Sequence, residues 1–568
     1  MPMLSRHEKS PWVGKALVAL LFAATALAQD DPHAACGSVG WVPREILQRP
    51  VALRTGIGNS HDPVTTASKE AQAFYDQGLA YLHSYVWVEA ARSFHQALRH
   101  DPDLALGWVG LSRAFSGLED PAAARDAQAK AQERAPKASP REQRRIALRA
   151  KQLDALDDLA SVDKHLAYKK ALDDALAIDF TDAELWCLRG NAEEASAAGR
   201  GQRGGAASVA FYRQALTVFP DHFAAHHYLI HSYETVNQID LALKHGAAYA
   251  GLASRIPHAH HMYGHDLRRV GRVEDAIAAF TRADEIEKAY YLAENIPASM
   301  DWHHPHNLDL LGGCYQHQGR LKTADRYLQE AAAFPAVTDY LEFNRKGRVG
   351  LLLAARRNDE ALRAARELAE GRWTATRVAG HALAGHALLV TDRLPEAEVE
   401  LRSAQRDLDA MVDEPGPRVR RSSVSPYVDG LRGEVLLRKG QWAEARALLE
   451  DVQTRIRAVP GPDAWTDALF RLEAIGRAAH ETGDFELLEY TALQMKDHDP
   501  AYAGTRYALA LVAEHKGDRE TARREFGAAL GYWQKADPEL PELVMARARQ
   551  AALAEPEGVA ERSVAGRR

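Results

Sequence analysis

Ala71-Gln72-Ala73-Phe74-Tyr75-Asp76-Gln77-Gly78-Leu79-Ala80-Tyr81, continued by Ala90, Phe94, Ala97 and Pro102, returns 34 residues later as Trp108, Phe115, Ala124, Ala131 and Pro136. A fixed period of this length means one small structural unit copied along the chain. Small residues stand at constant places within each copy, so the sequence predicts a repeat array.

The same frame recurs. Gly264, Ala276, Phe280 and Ala283 fit a unit starting at Pro257, and Gly312, Tyr315, Ala324 and Ala331 fit one starting at Pro305. Gly385, Ala397, Leu401 and Ala404 follow from Val378, then Gly433 with Ala445, and finally Ala522, Phe526 and Ala529. This pattern resembles the tetratricopeptide repeat, whose positions 8, 20 and 27 are small. The resemblance implies an all-α fold: a right-handed, elongated α-solenoid of roughly ten helix-turn-helix repeats without a β-sheet core.

Breaks in the frame set the domain layout. Ala198-Gly199-Arg200-Gly201-Gln202-Arg203-Gly204-Gly205 delays the second helix of the repeat containing Trp186 and Gly190 until Tyr212 and Ala215. The expected organisation is a signal peptide over 1–28, an irregular segment over 29–68 and repeats over 69–411. A linker over 412–426 then separates two solenoid halves, C-terminal repeats occupy 427–551, and a disordered tail spans 552–568. The 29–68 segment is expected to cap the first repeats or lie along the groove, with His61 as its residue of interest.

Arg6, Lys9 and Lys15 precede an apolar run from Ala16 to Leu27, and Ala26-Leu27-Ala28 offers a small-x-small cleavage site. This reads as a secretory signal, so the mature chain is expected to begin near Gln29 in the periplasm or outside the cell. No later stretch reaches the roughly 20 apolar residues of a membrane span. Without residues 1–28 the charged balance is 68 Lys and Arg against 77 Asp and Glu, a net −9 with both signs interspersed, which argues against nucleic acid as partner. Three cysteines, Cys36, Cys187 and Cys314, cannot build a disulfide framework.

Histidine is concentrated in one place. Of 25 histidines, 13 lie between 222 and 317. His227 and His231 are four apart, as are His261 and His265, so each pair shares one helix face about a turn apart, the spacing at which a helix offers two imidazoles to one metal ion. In the tetratricopeptide family, first-helix positions 2, 5, 9, 12 and 13 face the concave groove. The resemblance therefore places His227, His231 and Glu234, then His258, His261 and His265, then His306 on the groove of three consecutive repeats. It adds Glu184, Cys187, Asn191 and Glu194 from the preceding repeat as outer support. His226, His260, His303, His304 and His317 are expected to be structural or solvent-facing.

The centre of the chain also resembles a group of exported bacterial tetratricopeptide proteins carrying His-x-x-x-His with Glu, His-Met-x-x-His and Pro-His-Asn. Here these are His227, His231 and Glu234; His261, Met262 and His265; and Pro305, His306 and Asn307, with Tyr263 standing where many relatives have Pro.

Two functions follow as expectations. The first is a transition-metal site of His227, His231, His258, His261, His265 and His306, suited to copper, zinc or iron, with Glu234 as general base or carboxylate ligand of an oxidase or hydrolase. The second is a scaffold whose concave groove binds a peptide or protein. Tyr75 and Leu79 stand where carboxylate-clamp members of the tetratricopeptide family carry Lys and Asn, so the resemblance implies that this mode of peptide binding is not expected. The glycines after Ala198 follow no strand and end in no Lys-Ser/Thr pair, so a phosphate loop is not expected.

Overall fold

The computed structural model describes residues 42–194, 204–412, 419–459 and 461–554. Antiparallel helix hairpins follow one another from Lys69–His83 with Trp87–His100 to Ala503–His515 with Arg519–Tyr532, and Pro541–Ala554 ends the array. No strand occurs among the described residues. The chain is an α-solenoid of helix hairpins, built in the register that the 34-residue period predicts.

The small residues do what the repeat requires. A Cβ on Gly264 would stand 2.8 Å from the Phe280 ring, and one on Gly78 2.6 Å from Phe94, distances no side chain tolerates. Ala90, Ala97, Ala276 and Ala283 are fully buried where second helices cross their neighbours. The turn inside many of the described hairpins passes through the left-handed region. Gly271, Gly319, Gly440 and Gly517 hold that place in some repeats and Asn237 and Asp392 in others. In the first hairpin it is Tyr85, with φ +59°, a costly conformation for a bulky residue.

The superhelix is wound more tightly than an elongated solenoid. Arg268 Nη1 donates to Asp499 Oδ2 at 2.9 Å, the Asp537 amide to the Gly319 carbonyl at 3.1 Å, and Arg92 Nη2 to Glu294 Oε2 at 2.9 Å. These contacts join parts of the chain some two hundred residues apart, so successive superhelical turns touch.

The segment before the first repeat forms a strap. After a short helix at Arg44–Leu47 it runs extended, the Arg54 amide donating to Gln77 Oε1 at 2.7 Å. It then crosses the groove. The Gly56 carbonyl accepts from the Arg255 amide at 2.8 Å, and Gly58, φ +115°, lies flat on Phe223, where a Cβ would stand 2.8 Å from the ring. It therefore both docks on the first repeat and lies along the groove, with His61 Nδ1 2.8 Å from Asp76 Oδ2 at the surface.

Some expected boundaries shift. The helix Arg421–Arg438 starts inside the expected 412–426 linker, and Leu431 occupies the space over Gly385. Residues 349–435 share one apolar cluster, so the core runs across this point and does not divide into halves. The last helix reaches Ala554, into the expected tail. The expected signal peptide, Cys36, residues 195–203, Glu414–Arg418 and the end of the expected tail lie outside the described residues. Cys187 and Cys314 are buried free thiols.

Candidate metal centre

Three successive first helices, Phe223–Thr235, Pro257–Arg269 and His303–His317, turn their histidines to the inside of the coil. The His222 side chain accepts from the Ala225 amide and caps the first, while Pro257 opens the second at a position where no amide donor is needed. His227, His231 and His261 are completely buried, and His258, His265 and His306 are at most 3% exposed. The groove over these repeats is thus closed, in contrast to the open concave surface that the repeat alone suggests. Tyr85 forms part of the cover, its ring centroid 4.6 Å from that of His227, 5.2 Å from His258 and 5.9 Å from His231.

Six histidines assigned from sequence are brought together, as two trios. In the first, His227 Nε2 lies 3.0 Å from both His231 Nε2 and His258 Nε2. His227 Nδ1 is 2.6 Å from the His83 carbonyl, which can only accept. The Nδ1 therefore carries the proton and Nε2 presents a lone pair. Two further imidazoles converge on that single lone pair. Ligand nitrogens on one tetrahedral ion, with Zn–N of about 2.05 Å, stand roughly 3.3 Å apart, close to the separation here.

His261, His265 and His306 make the second trio. Asn307 sets its polarity. Asn307 Nδ2 donates to the Phe280 carbonyl at 2.9 Å, which turns Oδ1 toward His261 Nδ1 at 3.0 Å. His261 thus donates through Nδ1 and its Nε2 is left as a lone pair. His306 Nδ1 faces Asp463 Oδ1 at 3.3 Å and His265 Nδ1 faces Glu234 Oε1 at 3.5 Å. An acceptor thus stands behind His227 in the first trio and behind each ring of the second, the arrangement metal-binding histidines need.

Burial, and then the neighbouring imidazoles, push His258 and His261 well below the ordinary histidine range, so both are uncharged and competent as ligands. His306 behaves differently. Burial works against its charge, but Asp463, Asp309 and Glu287 outweigh it and raise its pKa. Burial likewise tends to raise the Asp463 carboxyl, yet His306 opposite holds it at about 2.

Glu234 belongs to the second trio through His265, although it shares a helix with the first. Beside it the Asp266 carboxyl is pushed well up by burial and by Glu234 itself. The Ala183–Asn191 helix does not join the trios. Glu184 pairs with His83 at 2.8 Å and Arg113 at 2.7 Å, and Asn191 accepts from Tyr212 at 2.6 Å. His226 meets His245, His260 the Ser254 carbonyl, His304 Asp284 and His317 Asp499. A further group, Asp284, His304 and Glu330, is already bridged by the Lys288 ammonium, 3.0 Å from Asp284 and 2.8 Å from Glu330.

His303, expected to be structural or solvent-facing, is buried beside both trios. Its ring is 4.4 Å from His261 and 5.0 Å from His258, between the trios, and its Nδ1 bonds to Glu287. As position −1 of its repeat it carries no groove assignment, and only the start of the helix at His303 turns it inward. Asp463 and Tyr85 are equally invisible in the local pattern, because each arrives from a distant repeat. On the far side of Asp463 and Asp309 lies a cavity of about 370 Å³, walled also by Lys346, Gly350, Tyr427 and Arg471. Burial pushes the Asp309 carboxyl at its edge up to about 7.

No protein-family model matches this chain, and no curated protein matches it. Among known structures it is similar to the crystal structure of the yeast Tom70, at 12% identity over 88% of this chain and 99% of that chain, with a TM-score of 0.33. It is similar also to the crystal structure of the APC/C hetero-tetramer Cut9–Hcn1, at 13% identity over 86% and 97%, with a TM-score of 0.30. The fold itself rests on the helix hairpins described above. No helix among the described residues is long and apolar enough to cross a membrane.

Proposed function

We propose that this chain is an exported solenoid whose interior holds a transition-metal centre of copper, zinc or iron, with His227, His231 and His258 as one subsite and His261, His265 and His306 as the other. The observation that carries this reading is the convergence of His231 Nε2 and His258 Nε2 on the one lone pair of His227, in a space closed to water. Buried polar atoms in such number cost stability unless something pairs with them, and a cation ligated by neutral imidazoles does so. Glu234 supplies the carboxylate beside His265, as ligand or as general base for metal-dependent hydrolysis or oxidation. Metal analysis of protein purified without chelators and without an affinity histidine tag tests it. Stoichiometric copper, zinc or iron is expected, and none above background overturns it.

A scaffold reading draws on a different feature. The cavity of about 370 Å³ has Gly347 and Gly350 one turn apart on its wall with open space above both, room for an extended peptide backbone to come close. Capture of a peptide that survives His231→Gln with His265→Gln, in a protein that binds no metal, would favour this reading.

A further inference from the structure

We infer that His303, oriented by Glu287, is a seventh histidine ligand and that it joins the two trios into a single two-metal centre. This rests on the metal reading above and extends it to the number of ligands and their connection.

Three observations meet at His303. Its ring stands edge-on to one member of each trio, at 65° to His261 and 73° to His258, whereas His258 and His261 are themselves 5.8 Å apart. Its Nδ1 is taken by Glu287, itself 1% exposed, while its Nε2 is buried with no hydrogen-bond partner among the described residues. His258 Nδ1 and His261 Nε2 are in the same condition. Three neighbouring rings thus carry three buried nitrogens for which the protein provides nothing.

The chemistry of the pair fits a ligand. Binding through Nε2 requires Nδ1 to carry the proton, and Glu287 is the acceptor that stabilises this tautomer, as carboxylates do for metal-bound histidines. The ring is nearer to His261 than to His258, so Nε2 serves the second subsite as its fourth nitrogen. Four imidazoles suit a borderline divalent transition ion. His258 then lies between the subsites, its Nε2 in the first trio and its ring 5.8 Å from that of His261 in the second. The first subsite keeps three nitrogens and an open position, and the second holds four nitrogens with the Glu234 carboxylate beside His265.

Cobalt(II) titration of the full mature chain, stripped of metal, tests this, because visible absorption reports coordination. The wild type is expected to take up two Co(II) per chain with the intense bands of a four-coordinate site. His303→Ala, with helix content unchanged by circular dichroism, should bind one of the two at least tenfold more weakly and lose intensity. Glu287→Gln, which keeps an acceptor on Nδ1, should behave as wild type, and Glu287→Leu as His303→Ala. The Glu287 pair decides the matter if His303→Ala does not fold. Two Co(II) bound with wild-type affinity and spectrum in both His303→Ala and Glu287→Leu would overturn the inference and leave the metal reading standing. Failure of the wild type to bind Co(II), Zn(II) or Cu(II) would overturn both.

Discussion

His227 and His258 are 31 residues apart in the chain, yet their Nε2 atoms lie 3.0 Å from each other in the interior. They sit on first helices of adjacent hairpins, and the repeat superimposes one helix face on the next at the packing distance of neighbouring helices, about 8–10 Å, which two imidazoles span. The contact is a product of repetition, because the same face recurs in register.

The centre should therefore depend on both helices at once. His231→Gln combined with His265→Gln is expected to abolish stoichiometric metal while circular dichroism remains helical. Glutamine is the better replacement than alanine, because both sites are buried and a truncated side chain would leave a cavity. Retention of metal by the double variant, measured by elemental analysis, would contradict the assignment.

Gly264→Leu should destabilise the array. The new side chain would meet the Phe280 ring, 2.8 Å from where its Cβ must stand, and overpacking of this kind costs about 1–3 kcal/mol. A melting temperature lowered by several degrees is expected; no change would mean that position 8 of the frame is misplaced.

Acid should weaken the metal-free protein well before its carboxylates titrate. Burial above all holds His95, His222, His245, His317 and His498 at about 4 in the fold, against about 6.5 in an unfolded chain. Between those values the unfolded chain binds protons that the folded one refuses. Stability is thus fully present above pH 6.5 and is lost as pH falls toward 4, by up to about 1.4 kcal/mol per unit for each group. His304 and His306, whose pKa values are raised, and the raised Asp309 and Asp266 carboxyls act in the opposite direction and reduce the slope. Thermal melts from pH 7.5 down to pH 5 should show a steady decline, and a flat profile would refute it.

Asp499→Ala should loosen the coil. It would leave the Arg268 guanidinium, 3% exposed, without its carboxylate, and breaking a buried pair from one side costs roughly 3–5 kcal/mol. His317 loses the same partner. A larger radius of gyration in X-ray scattering together with a lower melting temperature is expected. Unchanged scattering would show that contact between superhelical turns does not need this pair.

Much was legible along the chain because the repeat is local. Gly78, Ala90 and Ala97 announce how closely two helices pack, and that information is complete within one 34-residue unit. The i, i+4 spacing of His227 and His231, and of His261 and His265, shows a shared face for the same reason. Carrying these faces onto adjacent repeats was enough to assemble six histidines. What only the tertiary structure decided depends on residues far apart. The tight winding that brings Asp463 to His306 and Asp499 to Arg268, and the strap and Tyr85 that close the groove, are set by the small rotation accumulated per hairpin and by the space left inside the coil. So is the division into two trios with His303 between them, since it follows from where the helix His303–His317 begins and which way its first residue turns. No period in the sequence encodes that angle, because it is a sum over packed side chains from several repeats.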